Sequence, residues 1–228
     1  HILGKLKETN VYTGIDQFLR EGYWNQIQTD VQTIVNHCLS FPQIHHLVLE
    51  DYDYLNRTTA QLFYSLTGGN NDFGGMSQAQ VNQCFIDVGV KKRAVCLATP
   101  NAYYLADFGR MQAHFNLPAG SVAPGDYPGY SPYPGGNSNF PMPDAAFDPF
   151  VIGGFTIPGD GIHPNEEAHK TFLRSAVEQF YIHWYPPTVS GEGEGEGEGE
   201  GATEGEGEGE GSAEGEGEGQ QETVSLCD

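Results

Sequence analysis

The stretch IHHLVLEDYDYLN, residues 44–56, decides the fold class of this chain. Its first half, Ile44–Leu49, is a short run of mostly branched apolar side chains that begins just after Pro42 and ends at a polar segment. A run of this length and composition predicts a strand of a parallel sheet that is buried on both faces. A second short run, Ala102–Leu105, predicts another strand of the same kind.

Helical patterns alternate with these two strands. Apolar residues recur at intervals of three and four from Trp24 to Leu39, which is typical of one buried helix face. Ser77, with Gln80 three residues later, forms a capping-box pattern that predicts the start of a second helix. A short helix is predicted at 109–115, and a last amphipathic helix is predicted after Pro164, with Asn165 as its cap. This alternation predicts an α/β fold with parallel strands.

Charge and composition divide the chain into three parts. Residues 191–220 are almost pure Gly-Glu alternation, which cannot build a core and predicts an extended, solvated linker. Residues 1–190 carry 17 acidic and 10 basic side chains and are long enough for one domain. Residues 221–228 are interpreted as the start of a further segment, and a further domain after the linker is a possible partner.

Several classes of function are excluded by the same composition. An acidic body followed by an acidic tail offers no cationic surface for phosphates, so we expect no nucleic-acid partner. No apolar run approaches the roughly 18 residues that a membrane span needs. The four cysteines show none of the spacings that are typical of a zinc site, so we expect no bound metal.

The segment GDGIHP, residues 159–164, places an aspartate and a histidine three positions apart just before the last helix. Histidine is the usual general base near neutral pH, and a carboxylate bonded to its Nδ1–H holds it in the tautomer that activates a serine. The flanking glycines and proline favour a turn that brings the Asp160 carboxylate under the His163 ring. The same spacing also fits an Asx-turn that merely leads into the helix.

The segment DGIHPNEEAHKTFLRSAVEQFY, residues 160–181, resembles the last sequence block of the SGNH hydrolases, also called the GDSL esterase/lipase family. That block is Asp-x-x-His-Pro followed by an amphipathic helix rich in small residues. The helix–strand units upstream resemble those that precede the block in secreted bacterial members, so the resemblance covers roughly residues 20–185.

This resemblance implies a flavodoxin-like three-layer α/β/α sandwich around a parallel sheet, and hydrolysis of carboxylic esters by acyl transfer. By position, Asp160 corresponds to the triad acid of the family and His163 to its general base. The nucleophilic serine of the family lies in a Gly-Asp-Ser block, which the printed sequence does not contain. We therefore expect this chain to be the C-terminal part of such a domain, with the N-terminal part missing, and to be inactive alone.

A second segment, TGGNNDFGG at residues 67–75, superficially resembles the Gly-x-Asn-Asp block of the family. It has no strand of its own before it, so we interpret it as a turn-rich loop. The oxyanion-hole donors of the family are therefore also expected to lie outside this chain.

Residues 117–150 form a long segment with eight prolines, five glycines and several aromatic residues. Loops of this length are usually functional or disordered, and the aromatic residues argue against disorder. We interpret Tyr130, Tyr133 and Phe140 as substrate-binding residues that stack on a sugar or pack an acyl chain, although they also fit a role in covering the core. The resemblance implies a small-molecule or glycan ester as substrate, no cofactor, and a secreted or cell-surface location.

Two other functions remain open from the sequence. The chain fits a non-catalytic module that binds a glycan or a protein through the aromatic loop. A metallohydrolase with Asp160 and His163 as metal ligands would need further ligands in register, and the sequence shows no such spacing.

Overall fold

The computed structural model of the protein describes residues 17–68 and 73–186, with the backbone alone for residues 17–20 and Gly74. All of these residues belong to one compact unit, His1–Pro187. The helices and strands follow in the order α1 (Gln17–Leu39), β1 (Leu47–Glu50), α2 (Arg57–Leu66), α3 (Gln78–Ala98), β2 (Ala102–Leu105), α4 (Arg110–Phe115), β3 (Phe150–Ile152), β4 (Phe155–Ile157), α5 (Glu166–Ala176), a π-helical turn (Val177–Tyr181) and α6 (Ile182–Trp184).

Two small sheets are present in the described part of the chain. Strands β1 and β2 are parallel, with Leu47 opposite Ala102 and Glu50 opposite Leu105. Strands β3 and β4 form an antiparallel hairpin just before the predicted acid–base segment. The parallel pair confirms the mixed α/β class. The observed β2 matches the predicted strand, whereas β1 begins three residues later than predicted and ends one residue later.

Helical residues pack on both faces of the β1–β2 pair. Each strand contributes to both contacts, because successive side chains along a strand point to opposite faces. On one face, Leu47, Leu49 and Tyr104 pack in a cluster with residues of α1 and α3 such as Val35 and Val95. On the other face, Val48, Tyr103 and Leu105 pack against Ala176, Phe180 and Trp184 at the end of the chain's last helical segment. Residues of helices therefore pack against both faces of this two-stranded pair.

Helix starts that the sequence predicts are confirmed. The Ser77 hydroxyl accepts a bond from the Gln80 amide at 3.3 Å, while the Gln80 side chain accepts from the Ser77 amide at 2.8 Å. Asn165 caps α5 by accepting a bond from the Ala168 amide at 3.0 Å. These caps satisfy backbone donors that have no partner within their helix.

Helix α2 was not predicted from the sequence. It is only ten residues long, and its first turn contains the β-branched Thr58 and Thr59, which are weak helix formers. Asn56 supplies its start by accepting a bond from the Thr59 amide at 3.1 Å. The side-chain amide of Asn56 also donates to Asp144, 88 residues away, at 2.7 Å. The start of this helix is therefore stabilised in part by a tertiary hydrogen bond.

The long segment 117–150 is irregular in backbone but well anchored. Two fully buried amide side chains hold its backbone: Asn82 donates to the carbonyls of Ser138 and Phe140, each at 2.9 Å. Gln112 donates to three carbonyls of the same segment at 3.0–3.2 Å. Buried polar groups that are fully bonded in this way fix one conformation of a loop.

Other sequence predictions fall partly or wholly outside the described residues. In the segment 67–75, residues 69–72 are not described, and Phe73–Gly75 form a short 3₁₀ turn. The predicted linker 191–220 and the segment 221–228 also lie outside the described residues. Among the helices of the described chain, none combines the length and apolar character that crossing a bilayer requires.

Candidate active site

The turn at residues 159–164 brings Asp160 and His163 together. One carboxylate oxygen of Asp160, Oδ1, accepts bonds from the backbone amides of Ile162 and His163, each at 2.8 Å. The other, Oδ2, is bonded to Nδ1 of the His163 ring. The turn is therefore both an Asx-turn and a carboxylate–imidazole pair, so the two interpretations of this spacing are compatible.

The two partners differ in their exposure to solvent. The side chain of Asp160 is 14% exposed, whereas that of His163 is 74% exposed. Because Nδ1 is engaged by the carboxylate, Nε2 is the ring nitrogen that remains available to a bound molecule. This is the arrangement that a general base requires, although the catalytic role of either residue stays a prediction.

Hydrogen bonding dominates the electrostatics of Asp160. Its partial burial acts to raise the pKa, but the bonds from the His163 ring and from the two backbone amides outweigh burial and hold the pKa of Asp160 below its ordinary value. The carboxylate is therefore ionised at neutral pH, and it can stabilise an imidazolium that forms when His163 takes up a proton.

Two residues that follow β1 form hydrogen bonds to the backbone of this turn. The Asn56 amide donates to the Gly161 carbonyl at 2.9 Å, and the Tyr52 hydroxyl donates to the Ile162 carbonyl at 3.1 Å. Gly161 has a φ of +72°, and a Cβ at this position would lie 2.4 Å from the Asn56 carbonyl oxygen. Only glycine allows this close approach between the turn and the start of α2.

The far end of the turn is fixed to the segment before the hairpin. Phe147 and Pro164 form an isolated antiparallel bridge. The Asn165 amide donates to the Ala146 carbonyl at 2.8 Å, and its side-chain amide donates to the carbonyls of Ala145 and Phe147. His163 therefore lies on a short loop whose two ends are both hydrogen-bonded to other segments.

An open cavity of about 370 Å³ lies beside His163, at the carboxyl ends of the parallel strands, where open α/β sheets bind ligands. We call it the His163 cavity. The residues that line it are Glu50, Asp51, Tyr52, Asp53, Lys92, His163, Pro164, His169 and Phe172. Among these described residues there is neither a serine nor a cysteine, so the cavity wall seen here supplies a base but no hydroxyl or thiol nucleophile of the usual kind.

Two aspartates at the carboxyl end of β1, Asp51 and Asp53, accept hydrogen bonds inside the fold. Asp53 accepts bonds from the backbone amides of Tyr54, Gly109 and Met111 at 2.6–2.8 Å, and so caps α4 from a distance of more than fifty residues. An aspartate in a loop commonly caps backbone amides in this way. Burial raises the pKa of Asp53 to about 6, although the three amide bonds oppose that increase.

Asp51 belongs to a buried cluster with two tyrosines. Its Oδ2 accepts a bond from the Tyr104 hydroxyl and a longer one, at 3.4 Å, from that of Tyr133, and the two hydroxyls lie 2.7 Å apart. Burial raises the pKa of Asp51 to about 7, against the lowering effect of these bonds and of Lys92. Gly89 of α3 leaves room for the cluster, since a Cβ there would lie 2.3 Å from the Tyr133 hydroxyl oxygen.

The structure places the three predicted substrate-binding aromatics differently from one another. Tyr130 is buried, and its hydroxyl donates to the Tyr104 carbonyl at 2.9 Å. Tyr133 is partly buried in the Asp51 cluster, with the Arg93 guanidinium 4.2 Å from its ring centre. Phe140 is 47% exposed. None of the three is among the described residues that line the His163 cavity, and the packing of Tyr130 and Tyr133 is that of core residues.

Sequence reasoning missed Tyr52 and Asn56 as supports of the acid–base turn. One signal was present: Tyr52 lies two residues and Asn56 six residues after the end of β1, on the side of the sheet where ligands bind in such folds. Among the described residues, no three His, Cys, Asp or Glu side chains are grouped so that they would hold a metal ion.

Comparisons of the chain with protein-family models, with curated proteins and with solved structures gave no match, so the candidate site rests on its own geometry.

Proposed function

We propose that Asp160 and His163 are the acid and the general base of a serine ester hydrolase of the SGNH type. The observation that carries this proposal is the Asp160 carboxylate, which is fixed by two backbone amides and bonded to Nδ1 of an exposed histidine. An exposed surface histidine has no need of such support, whereas a general base must be held in one tautomer and one orientation.

In the proposed reaction, Nε2 of His163 takes the proton of a serine hydroxyl as its oxygen attacks the ester carbonyl. Asp160 keeps the proton of Nδ1 in place and stabilises the imidazolium. The imidazolium then gives its proton to the leaving alcohol. In the second half of the reaction, His163 takes a proton from water as the water oxygen attacks the acyl-serine. The imidazolium then returns this proton to the serine oxygen, which regenerates the hydroxyl and releases the acid product. The chemistry needs no cofactor.

The serine is supplied, in this proposal, by a polypeptide segment that pairs with the open edge of β1. The amides of Leu47 and Asp51 donate toward β2, so the backbone groups of Val48 and Glu50 point to the other edge, which has no strand partner among the described residues. A parallel strand at this edge would end beside the His163 cavity. It would also extend the sheet toward the three-layer α/β/α sandwich that the sequence resemblance implies.

Open space along the same edge supports this docking position. A second cavity of about 380 Å³ is lined by Val48, Leu105 and residues of α5, and it shares Glu50, His169 and Phe172 with the His163 cavity. Leu173, which also lines it, is 62% exposed. An exposed leucine that lines an open cavity beside the sheet favours a further segment that packs there.

The substrate we propose is a small-molecule or glycan ester, handled in a secreted or cell-surface setting. To test the function, the chain is produced with the coding sequence upstream of His1, and hydrolysis of p-nitrophenyl acetate is measured. We expect His163→Ala and Asp160→Ala to lower kcat/KM by about 10³-fold or more. His183→Ala, which changes an exposed histidine of α6, should leave turnover unchanged.

Two results would contradict parts of this proposal. Full activity of the His163→Ala protein would exclude His163 as the base. Turnover by the 228-residue chain alone, abolished by His163→Ala, would show that the nucleophile lies within the chain and that no docked strand is needed.

A further inference from the structure

A general base on an exposed loop loses its advantage if the loop moves. Misplacement of a catalytic group by about 1 Å costs about 100-fold in rate, because the reacting atoms no longer meet in the productive geometry. His163 is mostly exposed, so its position depends on what holds the four-residue turn that carries it. Two of the bonds to the turn's backbone come from the segment after β1, namely those of Asn56 and Tyr52.

These two bonds differ in kind. The Asn56 bond joins backbone to backbone, and it belongs to the packing of Gly161 on the start of α2. The Tyr52 bond comes from a side-chain hydroxyl, and it reaches the carbonyl of Ile162, the residue immediately before His163. Tyr52 thus reaches the residue next to His163 with a side-chain donor from another part of the chain.

Tyr52 also faces the space where a substrate would bind. Its side chain lines the His163 cavity, and the residue is 38% exposed. The centre of its ring lies 6.1 Å from the centre of the Phe85 ring. Burial, and then the nearby Asp160 charge, raise the pKa of Tyr52 above its ordinary value. The phenol therefore stays protonated over the working range of a histidine base and remains a hydrogen-bond donor.

We propose that Tyr52 is the positioning residue of the acid–base pair: its hydroxyl fixes the Ile162 carbonyl, and through it the His163 ring, while its own ring forms a wall of the cavity. This role rests on the proposed function for its catalytic consequence, but not for its structural one. The hydroxyl and the ring have separable effects, since phenylalanine keeps the wall and removes the donor.

The structural part is tested on the 228-residue chain, with no substrate. The low-field proton signal of Nδ1–H bonded to a carboxylate, together with the ¹⁵N signals of the His163 ring, reports on the pair. We expect Tyr52→Phe to broaden or remove the low-field signal and to speed amide exchange at Ile162 and His163. The control is Tyr127→Phe, which changes a tyrosine of similar exposure (43%) in a different cavity and should leave both readouts unchanged.

The catalytic part is tested in the active, N-terminally extended protein. We expect Tyr52→Phe to lower kcat by about 10- to 100-fold with little change in KM, because only orientation is lost. Tyr52→Leu should lower kcat similarly and also raise KM, because the cavity wall is lost.

The outcomes separate the two proposals. If His163→Ala retains full activity, the proposed function fails whatever Tyr52 does. If His163→Ala is inactive while Tyr52→Phe keeps its full kcat and the parent His163 signals, only the role of Tyr52 is overturned. A Tyr52→Phe protein that does not fold would also overturn this role, since the hydroxyl would then be a global stability element.

Discussion

Asp160 and Asp53 are bonded alike and behave in opposite ways. Each carboxylate accepts bonds from backbone amides, two at Asp160 and three at Asp53, and Asp160 adds the His163 ring. The pKa of Asp160 is nevertheless lowered, whereas burial raises that of Asp53 to about 6. The two sites differ in their contact with solvent: Asp53 is 3% exposed, whereas the Asp160 side chain is 14% exposed and is bonded to an imidazole that is 74% exposed.

The comparison shows that hydrogen bonds alone do not decide the charge of a carboxyl group in this protein. At the edge of the fold, bonds from amides and a histidine are enough to keep Asp160 ionised and ready to assist a base. Inside, even three amide donors do not offset the cost of removing the charge from water. The proposed chemistry therefore belongs to the turn, whereas the carboxylate at the strand end contributes to stability.

The largest expected effect is on the buried member of the comparison. Replacing Asp53 with Ala leaves the amides of Tyr54, Gly109 and Met111 without their acceptor, and we expect a loss of about 3–5 kcal/mol in the free energy of unfolding. Urea denaturation measures it. Asp148→Ala, at an exposed aspartate, should change stability by less than about 0.5 kcal/mol. If Asp53→Ala lowers the free energy of unfolding by less than about 1 kcal/mol, Asp53 is not an important stabilising residue.

The next effect is a dependence of stability on pH that comes from Asp51. Its pKa is 3.8 in the unfolded chain and about 7 in the fold, so the folded protein binds the extra proton between these values. The stability that this site contributes is therefore fully present below pH 3.8, and it is lost as pH rises to about 7. The change amounts to at most about 4 kcal/mol, at about 1.4 kcal/mol per pH unit.

Asp51→Asn isolates this contribution. The difference in unfolding free energy between variant and parent is measured by urea denaturation from pH 4 to pH 8. We expect it to move in favour of the variant as pH rises, because Asn carries no titrating charge and its carbonyl oxygen still accepts from the tyrosine hydroxyls. A difference that stays constant over this range would show that Asp51 titrates normally in the fold.

A smaller effect concerns the backbone of the acid–base turn. At Gly161 both the positive φ and the contact with α2 oppose a side chain, so we expect Gly161→Ala to cost about 2–4 kcal/mol. Gly153, in the β3–β4 hairpin, has a φ of +57°, but a Cβ added there would meet no other atom within 4 Å, so Gly153→Ala should cost only about 1 kcal/mol. Equal costs in thermal or urea unfolding would mean that the turn does not pack tightly on α2.

The smallest effect on stability is expected at Asp160 itself. Because its two amide donors lie in a turn at the protein surface, where water can replace the carboxylate, Asp160→Ala should cost about 1–2 kcal/mol, chiefly from the lost amide bonds. The lowered pKa of Asp160 contributes stability above pH 3.8 that is lost as pH falls below that value. Its effect on ester hydrolysis should be far larger. A stability loss equal to that of Asp53→Ala would remove the contrast between the two sites.

Local signals in the sequence account for much of the fold. The capping residues Ser77 and Asn165, the strand Ala102–Leu105 and the contact of Asp160 with His163 all depend on residues within four positions of one another, or on a short apolar run. Such features are readable because few other conformations satisfy the same short pattern.

Features that depend on distant partners were not predicted. Helix α2 is capped by Asn56, whose side chain also bonds to Asp144. The turn that carries Asp160 and His163 is bonded by Tyr52, which lies 110 residues from the Ile162 carbonyl that accepts its hydrogen bond. Tyr130 is buried, and its hydroxyl donates to a carbonyl of β2. Its predicted role at a substrate stays a prediction. No local pattern specifies which of several aromatic residues in a long loop will meet the sheet.

One contact at the open edge of β1 has a consequence for how the protein behaves in solution. The Lys92 ammonium group donates to the outward-facing carbonyl of Glu50 at 2.8 Å. An unpaired strand edge is a template for pairing between copies, and a lysine beside it disfavours such association. The edge is only four residues long and one of its acceptors is occupied by a hydrated, flexible charge. If two copies paired through this edge, the Lys92 ammonium group would have to leave the Glu50 carbonyl in both copies. The strand that we propose to dock at this edge would displace only one lysine.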